Sequence, residues 1–581
     1  FFFRFANMML KAVVLGIVFG ASSTVLQANP DCRFLPLDSG WPSRETWDGL
    51  NQTVKGRLIA GVPLGRPCYG SDFEPSTCVA LQHEWTSLTP FVNDPVNIVS
   101  SFWQNNSCSP FFGPNGTCVL GQLASYAIDI KNKDDAIAGI QFAETNNIRL
   151  TIKNTGHDYL GRSTGAASLA LWTRNLKEMD FFHYSGPDYT GPAVRVGAGV
   201  VGSELLKEAS EQGYRVVTGS CSTVGVAGGF TQGGGHSVIG AKYGLAADQV
   251  LEWEVVTATG QHLTVSPESR DADLYWALSG GGPANYAVVL SMTVKAYPDG
   301  PVAGSSLAFE NTDDEVFWAA VSSWLKYTLV LDAVPGFGSG WSISAPGFQL
   351  IYAILPDAAA AELEDILAPV IAQIRALNVS VVVGTTTVHP TFAESYDQFL
   401  PQAYSTNNTL GGRLIPRSLV EQDTPSLVAA MRAVAKSNIP WQINGVAANV
   451  THLRAGNKPA SNAVLPAWRD SLYHMNFGTG WPADADWNTM RMGEESLNEW
   501  QAMFRDITPG GGTYMNEATF DNTHWKEDYF GVNYDRLLTI KRKYDPNNLL
   551  WANAAVGSDE SWKPAADGRL CRAQKSQDPE A

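Results

Sequence analysis

The residues best suited to chemistry sit in two glycine-dense stretches. Ile152 to Gly165 reads Ile-Lys-Asn-Thr-Gly-His-Asp-Tyr-Leu-Gly-Arg-Ser-Thr-Gly, with His157 near its middle. Gly156, Gly161 and Gly165 permit positive φ and close approach of backbone to a ligand. Thr155, Ser163 and Thr164 add hydroxyls to a row of N–H groups, a combination that suits a phosphate. Gly219 to His236 is the second stretch, and it carries a single cysteine, Cys221. A thiol among so many glycines fits contact with a bulky cofactor better than it fits a cysteine nucleophile awaiting a distant histidine. In a third place, Leu472 to Phe477, strand alternation turns His474 and Asn476 to one side.

These side chains need elements to hold them. Asp134 and Asp135 open a helix that runs to about Asn146, their charge matched to its N-terminal end. A strand Arg149–Lys153 leads into the His157 loop and is followed by an apolar strand, Ser168–Trp172. Gly197-Ala198-Gly199-Val200-Val201-Gly202 fits the dinucleotide pattern G-x-G-x-x-G, between a strand (Val194 to Val196) and a helix (Ser203 to Gln212). That fold wants a carboxylate about 20 residues on, where Val216 to Cys221 offers none, so close helix-strand packing is the better reading. Further strands fall at Val250–Thr257, His262–Val265 and Tyr286–Tyr297, and Pro298-Asp299-Gly300-Pro301 marks a boundary. Beyond it, helices at Asp314–Leu329, Ala358–Leu377, Thr424–Ser437 and Ala485–Ile507 alternate with strands at Phe348–Ile354, Trp441–Ala448 and Asp470–Phe477. This second region reads as an antiparallel sheet backed by helices. A last helix, with Leu537, Leu538 and Lys541 on one side, stops at Asp545-Pro546.

The Gly-His-Asp-Tyr-x-Gly loop and the run Cys-x-Thr-Val-Gly-Val-x-Gly-Gly together resemble the berberine-bridge-enzyme-like branch of the vanillyl-alcohol oxidase superfamily. The likeness continues at Ser279-Gly280-Gly281-Gly282 before Tyr286-Ala287-Val288-Val289, and from Tyr514 to Asn553, so it covers most of the chain from about residue 118. It implies an α+β protein: a PCMH-type FAD-binding domain of two α+β subdomains, then an α+β substrate domain. The expected boundaries are a signal peptide at 1–28, a disulfide-pinned lead-in at 29–117, the FAD domain at 118–299, the substrate domain at 300–515, and a tail, 516–581, returning to the FAD domain. The resemblance implies FAD bonded twice, from His157 to the flavin 8α-methyl and from Cys221 to C6. Thr155, Gly156, Gly161, Ser163, Val224, Gly225, Gly228, Gly229 and Val289 are expected beside it. Tyr159, Tyr514 and Asn516 match family active-site positions, and His474 and Asn476 are expected over the flavin. Two positions depart from the plant pattern: Glu517 replaces the last tyrosine of Tyr-x-Asn-Tyr, and Gly235, followed by His236, replaces another. The proton acceptor therefore lies among Tyr514, His474 and His236. Val224 matches a position where oxygen-reactive members carry valine, which implies an oxidase releasing hydrogen peroxide from an alcohol or C–N substrate. A flavin-free binding protein is the alternative of a different class, and the retained His157 and Cys221 weigh against it.

Composition is that of a globular protein of 581 residues with net charge −17, which argues against nucleic acid or anionic membrane as partner. From Met9, with Met8 the other plausible initiator, Lys11, an apolar run from Ala12 to Gly20 and small residues to Ala28 read as a secretory leader, too short to be an anchor. Export suits the cysteines: Cys68 with Cys78 and Cys108 with Cys118 are natural short-loop pairs, Cys32 with Cys571 could tie the two termini together, and Cys221 is then left over. Six Asn-x-Ser/Thr sequons, at Asn51, Asn105, Asn115, Asn378, Asn407 and Asn449, fit a secreted glycoprotein. The expected state is a monomer acting on a small molecule and O2. No His/Cys spacing fits zinc, and no G-x-S-x-G elbow is present.

Overall fold

The computed structural model describes residues 31–400 and 406–573, so the expected leader lies outside the described residues. Leu58–Ala60 (β1), Tyr126–Asp129 (β2), Leu150–Lys153 (β3) and Leu169–Trp172 (β4) form a sheet in the order β1-β2-β4-β3. β2, β4 and β3 are parallel, and β1, from the stretch read as a lead-in, adds an antiparallel edge. The helix α1 (Lys133–Thr145) joins β2 to β3. Asn132 caps it by accepting the Asp134 and Asp135 N–H groups. Its buried face, Ala136, Ile140 and Ala143, packs on Ile128, Leu150, Leu169 and Leu171. A Cβ at Gly139 would fall 2.5 Å from Leu171, so glycine is what lets helix and sheet approach.

A second sheet is wholly antiparallel. Its order is Met179–Ser185 (β5), Thr190–Gly197 (β6), Ala287–Lys295 (β9), Val250–Thr257 (β7) and His262–Val265 (β8). The G-x-G-x-x-G stretch joins β6 to α2 (Gly202–Glu211) here. β6 has only antiparallel neighbours, so the G-x-G-x-x-G stretch is not part of a parallel βαβ unit. Cβ atoms at Gly197 and Gly199 would strike the Leu176 and Arg174 carbonyls at 2.5 and 2.0 Å, which explains both glycines by backbone packing.

The third sheet holds eight antiparallel strands. In order from one edge they are Val382–Val383, Val302–Glu310 (β10), Gly347–Pro356 (β12), Gly338–Ser344 (β11), Gln442–Ala448 (β14), Ser471–Gly480 (β15) and Asn408–Pro416 (β13), with Thr387–His389 also paired to β10. Four helices cover one face: Asp314–Ala333 (α3), Ala360–Ala376 (α4), Arg417–Ala435 (α5) and Trp487–Ile507 (α6). Tyr473, Met475 and Phe477 of β15 point into that helical core, so His474 and Asn476 take the opposite face.

The chain then returns to its first half. Met515, Tyr529, Phe530 and, from Tyr534–Tyr544 (α7), Leu537 and Ile540 join the core of the second sheet. Lys541, fully buried, pairs with Asp545 and donates to the Asn285 and Leu550 carbonyls at 2.7 and 2.9 Å. All three expected disulfides are present, and Cys221 is the free cysteine. Two sequons are tied up in the fold: Asn407 is buried, and Asn449 donates to Asp332. No described helix is long and apolar enough to cross a membrane.

Candidate active site

A cavity of about 640 Å³ opens between the C-terminal ends of β3 and β4, the Gly219–His236 run, and the free face of the third sheet. It is the setting expected for a ligand in an α/β layer, outside the carboxyl ends of parallel strands.

His157 and Cys221 face each other across one hydroxyl. Thr223 Oγ1 lies 2.8 Å from His157 Nε2 and 3.5 Å from Cys221 Sγ. Burial, helped by Lys153, pushes the His157 pKa down to about 4, so the ring is neutral at ordinary pH. Burial pushes the Cys221 thiol up, with the Thr223 hydrogen bond opposing it. Lys153 itself is held at about 7 by burial, and donates to the Phe91 and Asp94 carbonyls. Gly156 sits at φ +81°, a left-handed turn that directs the chain past Lys153 into His157.

The loop is held together by its own aspartate. Asp158 accepts the Leu160 N–H and both the N–H and the hydroxyl of Ser163, so Ser163 is engaged within the loop although it lines the cavity. Gly161 does not line it, and a Cβ there would strike the Trp103 ring at 2.7 Å. Thr155, Gly156, Tyr159, Val224, Gly225, Gly228, Gly229 and Val289 all reach the wall. Burial raises the Tyr159 phenol.

Opposite lies a polar cluster built on Glu517. Its Oε1 accepts from His236 Nε2 at 2.9 Å, and its Oε2 accepts from His474 Nε2 at 2.8 Å and Asn476 Nδ2 at 3.0 Å. Asn444 of β14 donates to Asn476 Oδ1 at 2.8 Å, which fixes that amide. Burial alone would raise the Glu517 carboxyl, but His236 and His474 outweigh it and hold it well below the usual carboxylate range. His474 is pushed down by burial, with Glu517 pulling the other way, and it sits behind the cavity wall rather than on it. Tyr514 lines the cavity beside both imidazoles; its hydroxyl accepts from Asn516 at 2.9 Å, and burial raises its pKa. Asn516 also donates to the Gly229 carbonyl, linking the tail to the glycine run.

Glu517 and Thr223 carry weight that sequence reasoning did not give them. Thr223 had a signal, since it lies inside the Cys-x-Thr motif. His236, His474 and Asn476 had signals of their own, but their pairing with Glu517 had none, because 281 and 43 residues separate it from the two histidines. The donor atoms of His236, His474 and Glu517 lie within 4.8 Å of one another, close enough to suggest a metal. A metal-bound imidazole normally passes its other N–H to a partner. Nδ1 of both rings is buried without one, so a cation on Nε2 would strand two N–H donors. With Nε2 protonated and donating to Glu517, each Nδ1 is only an unused lone pair, and hydrogen bonding is the better account of the cluster.

The walls fit FAD. Asn154 lines the cavity, and its Oδ1 is a buried acceptor with no protein partner. Gly225 and Gly228 let the second stretch close on the Asn154 side chain; a Cβ at Gly225 would fall 1.9 Å from Asn154 Oδ1.

Comparison with known proteins agrees. The family described as FAD binding domain matches residues 124–266, and that described as Berberine and berberine like matches residues 513–557. FAD-linked oxidoreductase orf1 of Neocamarosporium betae is 39% identical, over 94% of this chain and 95% of its own. VAO-type flavoprotein oxidase VAO615 of Thermothelomyces thermophilus is 40% identical, over 94% and 96%. The crystal structure of VAO-type flavoprotein MtVAO615 from Myceliophthora thermophila C1 superposes with a TM-score of 0.89 at 38% identity, covering 93% of this chain and 100% of that one. A carbohydrate oxidase from Microdochium nivale shares the fold at 19% identity and a TM-score of 0.63. With its FAD-binding sheets, berberine-like tail and full-length relatives, the chain belongs to the FAD-linked oxidoreductases of the vanillyl-alcohol oxidase and berberine-bridge-enzyme-like family.

Proposed function

We propose that the chain is a secreted oxidase that holds FAD by two covalent bonds, at His157 and Cys221, and oxidises a C–H bond beside a hydroxyl or amine of a small molecule, with O2 as acceptor. The observation that carries this is one cavity wall shared by His157, Cys221, Tyr514, Asn476 and Glu517. FAD, when bound, supplies the hydride acceptor for the substrate carbon and the route of electrons to O2. The protein residues hold and orient. His157, neutral, has an unprotonated ring nitrogen free to form a bond, and Asn154 and the Gly225–Gly229 backbone line the place where the flavin lies. The third sheet closes the substrate side, with Asn444 and Asn476 as fixed amides. Val224 on the wall supports oxygen use by its match to the family position, and VAO615, the oxidase relative, supports the same reading. Three disulfides support an oxidising compartment.

The test is colour and attachment. Protein from a flavin-replete secretory host is expected to be yellow and to keep its flavin fluorescence on the denatured band in SDS. Cys221→Ala leaves flavin held through His157 alone with a shifted spectrum, and the double variant with His157→Ala releases it. A colourless product would overturn the oxidase reading and leave a binding protein, and an unchanged Cys221→Ala spectrum would make the attachment single. Peroxide release over benzylic alcohols, sugars and amines then assigns the donor class.

A further inference from the structure

We infer that Glu517 is the group that takes the substrate proton, with His236, His474 and Asn476 as its positioning residues. The inference rests on the oxidase reading above. The plant-type tyrosine is absent at position 517, and the structure places a carboxylate on the cavity wall in its stead, 21% exposed against 9% for His236 and 0% for His474.

The other candidates fail on geometry. Tyr514 is buried beside the Glu517 carboxylate, and burial and that charge both keep the phenol protonated against the opposing hydrogen bond from Asn516. His474 does not reach the cavity, and in both imidazoles Nε2 is committed to Glu517 while the unused Nδ1 is buried out of a substrate's reach. Asp158, the other carboxylate on the wall, is bonded to its own loop beside His157 rather than to the substrate sheet. A carboxylate offers about four acceptor sites. Glu517 uses three, two on Oε2 and one on Oε1, so one lone pair on Oε1 is left for a substrate hydroxyl. The three donors also stop the side chain from turning away, as a proton acceptor held for reaction requires.

The step balances as follows. The substrate O–H bond breaks and its proton goes to Glu517 Oε1; the adjacent C–H bond breaks, its hydrogen and electron pair go to the flavin, and the C–O bond becomes a carbonyl. The two electrons, the hydrogen taken up by the flavin and the proton held by Glu517 would pass on to O2, which leaves as hydrogen peroxide and returns Glu517 to the carboxylate. His236, His474, Tyr159, Tyr352 and Tyr514 are the titratable groups that act on Glu517. The three phenols are neutral in the working range, so the two imidazoles set how far down in pH the carboxylate survives.

The experiment follows anaerobic flavin reduction by benzyl alcohol, cyclohexanol, glucose and cellobiose in wild type and variants, with covalent flavin measured separately in SDS. Glu517→Gln, carrying wild-type covalent flavin, is expected to be reduced at least about a hundredfold more slowly. Glu517→Ala is expected to recover rate with added formate, which a misfolded protein would not do. His474→Phe removes a donor and should move the acid limb of the rate profile to higher pH, and His474→Gln should return it. Reduction of Glu517→Gln within a few-fold of wild type would overturn the inference. So would an enzyme that carries covalent flavin but is reduced by none of the four alcohols. Absence of covalent flavin in wild type would instead sink the oxidase reading itself.

Discussion

A neutral His157 has a measurable consequence. Its pKa of about 4 lies well below the ordinary imidazole value of 6.5, so the lone pair needed for attachment is present on the alkaline side of 4 and is lost only as pH falls through it. Covalent incorporation of FAD into flavin-free protein should therefore run at pH 5.5 within about twofold of its rate at 7.5. An imidazole of ordinary basicity would be only about one-tenth neutral at pH 5.5, so a roughly tenfold slowing there would refute the buried-ring account. Such residues were legible because their signals are local: the glycines around His157 and Cys221 lie within a few positions of them. The members of the Glu517 cluster were each visible, but their meeting was not, since they come from a glycine run, a strand and a tail that join only in the fold. In sequence Glu517 shows only as a missing tyrosine.

At the level of elements, α6 carries a buried carboxyl, Glu494, whose opposing charge, Arg491, is outweighed by burial. Burial and the nearby Asp521 raise Glu494 to about 8, with Thr409 its one hydrogen-bond donor at 2.9 Å. The folded value lies above the unfolded 4.5, so the stability this group contributes is full below 4.5 and lost as pH rises through 8. Glu494→Gln should therefore raise the unfolding midpoint at pH 8 by the equivalent of about 1–3 kcal/mol and leave it nearly unchanged at pH 4.5. Equal effects at both pH values would show the site to be wet. The long helices are readable from their apolar period, and the sequence places the start of one at Thr424. In the structure α5 begins at Arg417 and breaks at Asp423, φ −147°, so Pro425 opens its second half. β10, β11 and β13 escaped the reading because Gly304, Ser305, Gly340, Gly411 and Gly412 interrupt their apolar pattern. Those glycines admit large neighbours; a Cβ at Gly304 would strike the Phe399 ring at 2.1 Å.

Across the whole molecule, Cys32–Cys571 closes the longest loop the chain contains, 539 residues. Replacing both cysteines by serine should cost about 2–5 kcal/mol and lower the midpoint of thermal inactivation by several degrees, with covalent flavin content retained. An unchanged midpoint would mean that the Arg33 and Asn147 contacts at that corner suffice alone.

The returning tail also sets an order of events. Arg162, in the loop of His157, donates to the Asn553 and Ala554 carbonyls, 391 and 392 residues later in the chain. A ribosome adds those residues about 20 s to over a minute after the loop, at roughly 5–20 residues per second. The loop that bears the histidine thus emerges long before the segment that braces it, and Glu517 before the helix that anchors it. On the proposed reading, FAD would join His157 and Cys221 only once the tail is in place: a chain truncated before Tyr514 is expected to carry both cavity residues and still be colourless on the denatured band.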